Sequence, residues 1–247
     1  NDVCESQDLV TDSLNSTLGS ILKSCISLLS CSDDDGIPQW YRTFMEANLA
    51  LSGREQELAY CILGGHFNYL VNRDQNWTTD KFIKGMTGEI QDLYVPTWTG
   101  FMYYSAYLNV SVAPILEPIF LQAVKYINKL KHEKVRENFI RLYVLLLIYC
   151  VEDPFSPITY NDTLKIPSGF IPRFYEYSNE NDKISFLRII NEQLEKMNSD
   201  HKVKLWNSWL KDFVTSKFEN QPTSRTENEV NCFYCWLKNV EEFIAEF

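Results

Sequence analysis

Apolar residues recur along most of the chain at steps of three or four, the period of a helix with one buried face. Val10, Leu14, Leu18, Ile21, Cys25 and Leu28 form the first stripe. Val112, Ile115, Ile119, Ala123, Tyr126 and Leu130 form another. Ile184, Leu187, Ile190, Leu194 and Met197 follow, then Val203, Trp206, Leu210 and Phe213, then Phe233, Trp236, Leu237, Val240, Ile244 and Phe247. Each stripe is predicted to be a buried helix face. The pattern predicts helices over 6–31, 39–52, 55–71, 78–86, 97–108, 114–130, 134–151, 170–177, 181–198, 201–218 and 224–246. Strand-length alternation is nearly absent, so the predicted class is all-α. Short connections make successive helices antiparallel hairpins, giving an irregular stack of the HEAT-like or bundle kind. No fixed sequence period supports a regular repeat array.

Start and stop signals refine these spans. Ser224 with Glu227 reads as a capping box after Pro222, and Asp200 reads as the cap of the helix carrying Trp206. Pro114 suits the opening turn of its helix, whereas Pro118 should kink that helix or mark a later start. Ser32 to Pro38, with Asp33, Asp34, Asp35 and Gly36, and the proline-rich Glu152 to Pro172 are predicted loops.

The 247 residues, 45% of them hydrophobic, suffice for one sizeable core or two modest ones. The chain starts at Asn1 and its four methionines, Met45, Met86, Met102 and Met197, all lie inside, so it reads as a piece of a longer protein. Residues Asn1 to Ser32 lack the order of a secretory signal. The longest apolar run, Phe139 to Val151, is broken by Arg141 and falls short of the roughly 20 residues of a membrane span. Seven cysteines, Cys4, Cys25, Cys31, Cys61, Cys150, Cys232 and Cys235, show no framework spacing and read as thiols of a reducing, cytoplasmic compartment. The glycosylation triplets at Asn15, Asn76, Asn109 and Asn161 carry no weight without export. A net charge of −10 repels a phosphate backbone, so no nucleic-acid partner is expected. The one basic stretch, Lys129, Lys131, Lys134 and Arg136 around Glu133, reads as a solvated turn before it reads as a phosphate site.

Motifs for chemistry are missing. There is no nucleophile elbow, phosphate loop or dinucleotide fingerprint, and the adjacent Gly64 and Gly65 lie in a helical pattern where close helix packing accounts for them. Cys232 and Cys235 have redox or zinc spacing but neither context, and read as small core residues one turn apart. His66, His132 and His201 are scattered, and the carboxylate pairs Glu55 with Glu57 and Glu241 with Glu242 fall on expected surface faces. No catalytic residue, cofactor or metal ligand is therefore assigned. Trp206 with Trp209, and Tyr103 with Tyr104 and Tyr107, could line binding surfaces, but aromatics at helical spacing are more often core.

Several phrases nevertheless share a pattern. Asn72-Arg73-Asp74 with Trp77, Thr97-Trp98-Thr99-Gly100-Phe101-Met102, Asn109 with Pro114, Ile115, Leu116, Pro118, Phe120 and Gln122, and Leu205-Trp206-Asn207-Ser208-Trp209-Leu210 occur in order, followed by Pro222, Glu229 and Trp236. Over roughly residues 65 to 245 this resembles the uncharacterised helical domain that follows a sirtuin-like domain in bacterial and archaeal proteins. The resemblance implies a non-catalytic sensing, regulatory or assembly part of an anti-phage protein whose separate sirtuin-like domain degrades NAD. It implies protein partners: that sirtuin-like domain, sister subunits or a phage protein. It divides the chain into a segment 1–60 and a helical domain 61–247, packed together. Its motif residues are of packing type, with Gly100 letting a helix approach closely while Trp98 and Phe101 bury against it. A purely structural self-assembly scaffold and a helical hydrolase using Glu and His are the alternatives.

Overall fold

The computed structural model describes residues 3–32, 36–104, 112–148, 170–220 and 226–244. Among these every regular element is helical and no strand occurs, so the protein is all-α. Contacts group the chain into two compact units, Asn1–Phe139 and Ile140–Phe247. The sequence reading divides the chain at residue 60, which falls inside the first unit.

The first unit is built on a pair of helices, α4 (Gly53–Gly65) and α7 (Gln91–Tyr104), which pack along each other. Against α4 lie α1 (Val3–Asn15), α2 (Thr17–Ser30) and α3 (Gln39–Leu49). Against α7 lies α6 (Gln75–Thr87), which α5 (Phe67–Arg73) precedes and α8 (Ala113–Ala123) also touches. Trp98 is fully buried, edge-on to Phe120 at 4.8 Å, to Phe139 at 4.9 Å and to Phe101 at 5.7 Å. Its indole N–H donates to the Met86 carbonyl at 2.8 Å, so the one polar atom of this ring is satisfied.

Two expected helices are broken by local chemistry, and a third, whose residues 105–108 lie outside the described ones, starts earlier than expected. The span 6–31 divides at Ser16, whose extended backbone (ψ 154°) and hydroxyl, accepting from Gly19 N at 3.0 Å, start α2 afresh. Gly19 makes the tight joint possible, because a Cβ there would press on the Ser13 carbonyl, with its carbon at 2.9 Å. The span 55–71 divides at His66, which caps α4 by donating its backbone N–H to Leu63 O. The span 97–108 starts earlier, at Gln91, and runs through Pro96, because burial of Leu93 and Tyr94 outweighs the single hydrogen bond that proline forgoes. Pro118 likewise sits inside α8 without delaying its start, and a 3-10 turn, Val124–Lys129, follows.

The first apolar stripe is the main departure. On α2 the buried residues are Leu22, Ile26 and Leu29, whereas Ile21 and Leu28 are exposed, as is Leu14 on α1. Leu18 and Cys25 are half-buried. The helix carries two apolar stripes about 100° apart; one is buried, and of the other Leu18 packs against Leu9, Leu58 and Cys61 while Ile21 and Leu28 stay exposed.

The second unit comprises α10 (Phe170–Tyr177), α11 (Glu180–Lys196), α12 (Ser199–Leu205), α13 (Lys211–Asn220) and α14 (Glu227–Ile244), with the last turns of α9 (Glu133–Ile148). α11 and α14 pack together, tied by the Trp236 indole N–H donating to Leu187 O at 3.0 Å and by Asn239 donating to Asn191 at 3.0 Å. Between α12 and α13 the chain widens into a single π turn, Trp206–Leu210. Leu205 before it and Leu210 at its end are both buried. The caps differ from those read in the sequence. Asn198 caps α12, accepting from His201 N at 3.0 Å, where Asp200 was expected. Thr226 and Glu229 form the reciprocal pair ahead of α14, at 3.3 Å each way, while Ser224 and Pro222 lie outside the described residues.

Candidate functional site

The Asp74 and Trp77 phrase forms a staple. Asp74 ends α5 and caps α6, accepting from Trp77 N at 2.9 Å, and its other carboxylate oxygen takes Arg42 of α3. The Trp77 indole N–H donates to Glu46 Oε1 at 2.9 Å, and Lys81 stands 3.3 Å from the same oxygen. These two donors hold the Glu46 carboxyl below its ordinary range. Arg73 adds weaker bonds to the carbonyls of Gly36 and Ser32, both 3.3 Å long. The charges of this corner are spent on tying α3 and the 36–38 connection to the α5–α6 turn.

The α4–α7 crossing carries the next phrase. A Cβ on Gly100 would lie against the Cys61 carbonyl, 2.6 Å from its carbon and 3.0 Å from Cys61 Cα. A Cβ on Gly64 would sit 2.6 Å from Thr97 O. The backbones touch where side chains are missing, which is the packing role expected of both glycines, and Trp98 and Phe101 are buried beside them.

The polar groups nearest to a reactive cluster gather at the edge of this crossing. Cys61 is buried, Ser13 bonds Val10 O at 2.7 Å, and the Ser13 and Tyr104 hydroxyls are 3.4 Å apart. Burial pushes the Cys61 thiol up to about 12, with Ser13, Arg54 and Lys23 pulling weakly the other way. A thiol so protonated is a poor nucleophile at neutral pH. His66 is held below its ordinary range by burial and by the charge of Lys23.

In the second unit Lys217 lies 3.6 Å from the centroid of the Tyr175 ring, and burial lowers its ammonium pKa. The Tyr175 hydroxyl and the Trp209 indole N–H are buried with no hydrogen-bond partner among the described residues. Trp209 and Trp236 are core residues, but Trp206 is only half-buried. Cys232 is half-buried and Cys235 exposed, so the pair does not fill the core as expected. Asn109, Tyr107 and Cys150 lie outside the described residues. Tyr104 is 37% exposed, and Pro114 and Pro118 face outward.

Two faces that sequence reasoning did not identify stand out instead. One is the outer stripe of α2. The other is Val230 and Tyr234, one turn apart on α14, the latter 69% exposed. Among the described residues, no group of three His, Cys, Asp or Glu is placed to hold a metal, and no helix is long and apolar enough to cross a membrane. No protein-family model, curated protein or solved structure matches the chain.

Proposed function

We propose that the chain is a non-catalytic regulatory domain of a larger cytoplasmic protein, one in which a sirtuin-like domain degrades NAD on phage infection. The observation that supports this best is where the shared phrases lie. Asp74 and Trp77 staple three elements, Trp98, Gly100 and Phe101 build the α4–α7 crossing, and Trp209 and Trp236 sit in the second core. Residues of that kind hold a shape to which partners bind; they do not perform chemistry. The Cys61 thiol points the same way, because burial holds it protonated and so poorly nucleophilic. Exposed Val230 and Tyr234 supply a surface for a protein partner or for the parent's catalytic domain.

The reading frame that encodes the chain tests the assignment: it should also encode a sirtuin-like domain upstream. A frame without one overturns the parent's identity. Separately, the purified chain should release no nicotinamide from NAD beyond a heat-inactivated sample, and measurable release overturns the non-catalytic reading.

A further inference from the structure

We infer that Cys232 and Cys235 form a redox-active dithiol, which a hydroperoxide oxidises to a disulfide within α14 and reduced glutathione returns to two thiols. Both are free thiols on one helix, Cys235 exposed and Cys232 half-buried. The buried face of α14 is made by Glu229, Phe233 and Trp236. At about 100° per residue, Cys232 falls at the edge of that face and Cys235 about 60° further round, on the solvent side. The chemistry depends on α14 alone, whatever the parent protein.

Helix geometry lets the two sulfurs meet. Helical residues three apart have Cα atoms about 5 Å apart, inside the range of about 4.4 to 6.8 Å that disulfides span. Their Cβ atoms stand about 5 to 6 Å apart, whereas a relaxed disulfide needs about 3.5 to 4.5 Å, so the bond closes only by tightening that turn by about 1 to 2 Å. A disulfide held under such strain is readily reduced, which a reversible site requires and a structural cross-link does not.

The two positions divide the steps between them. Exposed Cys235 meets the oxidant: its thiolate sulfur attacks the O–O bond, the bond breaks, and a sulfenic acid forms while the departing oxygen takes up the thiol proton. The Cys232 sulfur then attacks the Cys235 sulfur, the S–O bond breaks, and hydroxide leaves with the Cys232 proton as water. Two thiols and one hydrogen peroxide thus give one disulfide and two waters. Burial, together with Cys235 and Glu229, pushes the Cys232 thiol above its ordinary range. Cys232 is therefore the slower of the two toward a dissolved oxidant, and it reacts because an electrophilic sulfur is held one turn away. Exposed Cys31 has no cysteine three residues away and serves as the internal control.

Treating the full chain with hydrogen peroxide, alkylating it with N-ethylmaleimide and mapping tryptic peptides by mass spectrometry tests the pair. The peptide Thr226–Lys238, which carries both cysteines, should lose its two alkylation sites at the same rate and become lighter by two hydrogens. Reduced glutathione should restore both sites. In Cys232→Ser, oxidation of Cys235 should stop at the sulfenic acid, which dimedone traps, and in Cys235→Ser the remaining Cys232 should react more slowly than Cys235 does in the parent. Neither position lies on the buried face, so circular dichroism of both variants should match the parent. A peptide that keeps its alkylation sites under conditions that consume Cys31 overturns the inference. So does loss of the two sites at independent rates without loss of two hydrogens, or a disulfide from either cysteine to any other cysteine or to a second copy. A product that glutathione fails to reduce, or a Cys232 that reacts in Cys235→Ser as fast as Cys235 in the parent, also overturns it.

Discussion

Replacing Gly100 by Ala tests the α4–α7 crossing with one methyl group. Helix propensity alone predicts a gain of about 1 kcal/mol for Gly to Ala. The structure reverses the sign. The new Cβ would press on the Cys61 carbonyl, 2.6 Å from its carbon and 3.0 Å from Cys61 Cα. Those are backbone atoms in the middle of α4, and no rotamer change moves them aside. Relief requires the two helices to part by roughly 1 Å, and a gap of that order forfeits a quarter to a half of each dispersion contact along the line. Overpacking of this kind costs typically 1 to 3 kcal/mol and sometimes more. A clash with fixed backbone lies above the top of that range, at about 4 kcal/mol, so after the propensity gain we expect a net loss of about 3 kcal/mol, or roughly 6 to 12 °C in Tm for a chain of this size.

Graded controls sharpen the test. Gly64→Ala meets Thr97 O at 2.6 Å and should lose less, about 1 to 2 kcal/mol, since a single oxygen must yield. Gly53→Ala meets nothing within 4 Å but has φ +61°, so it carries only the left-handed penalty of about 1 to 2 kcal/mol. Thermal unfolding followed by circular dichroism reads all three. A Gly100→Ala protein that melts at or above the parent refutes the close-approach account.

Three further expectations follow from the staple, the second core and the buried thiol. Asp74→Ala should cost about 1 to 2 kcal/mol through the lost α6 cap and Arg42 pair, while Asp74→Asn, which keeps a capping oxygen, should cost under about 1 kcal/mol in urea unfolding. Trp236→Ala should cost about 3 to 5 kcal/mol, as a fully buried indole, and half-buried Trp206→Ala about 1 kcal/mol; equal losses would refute the assigned depths. Cys61 should resist iodoacetamide at pH 8 in the folded chain while exposed Cys31 reacts, as read by mass spectrometry. Its thiol holds a proton to about 12 when folded and releases it near 8.5 when unfolded, so this contribution is complete below about pH 8.5 and is lost as pH rises toward 12. Replacing Cys61 with Ala should flatten that alkaline loss in denaturant titrations.

The helical class, most helix positions and many core residues were legible from period alone, because burying one face of a helix imposes a spacing that any reader can count. Leu187, Ile190 and Leu194 are buried as their stripe predicts. The close approach at Gly64 and Gly100 was also legible, since a glycine inside a helix has few other reasons to be there. Which of two apolar stripes faces inward on α2 was not, because periodicity records amphipathicity but not direction. Only the neighbour, α4, decides that Leu22 and Leu29 are core and that Ile21 and Leu28 are surface. Helix ends differed in cause. The break at Ser16 is a local cap that the apolar period does not record, whereas the passage through Pro96 follows the burial of Leu93 and Tyr94, the latter bonded to Ala123 O. Short-range pattern thus determined the elements, and long-range packing decided their faces and their joints, because burial is shared between segments that the sequence keeps apart.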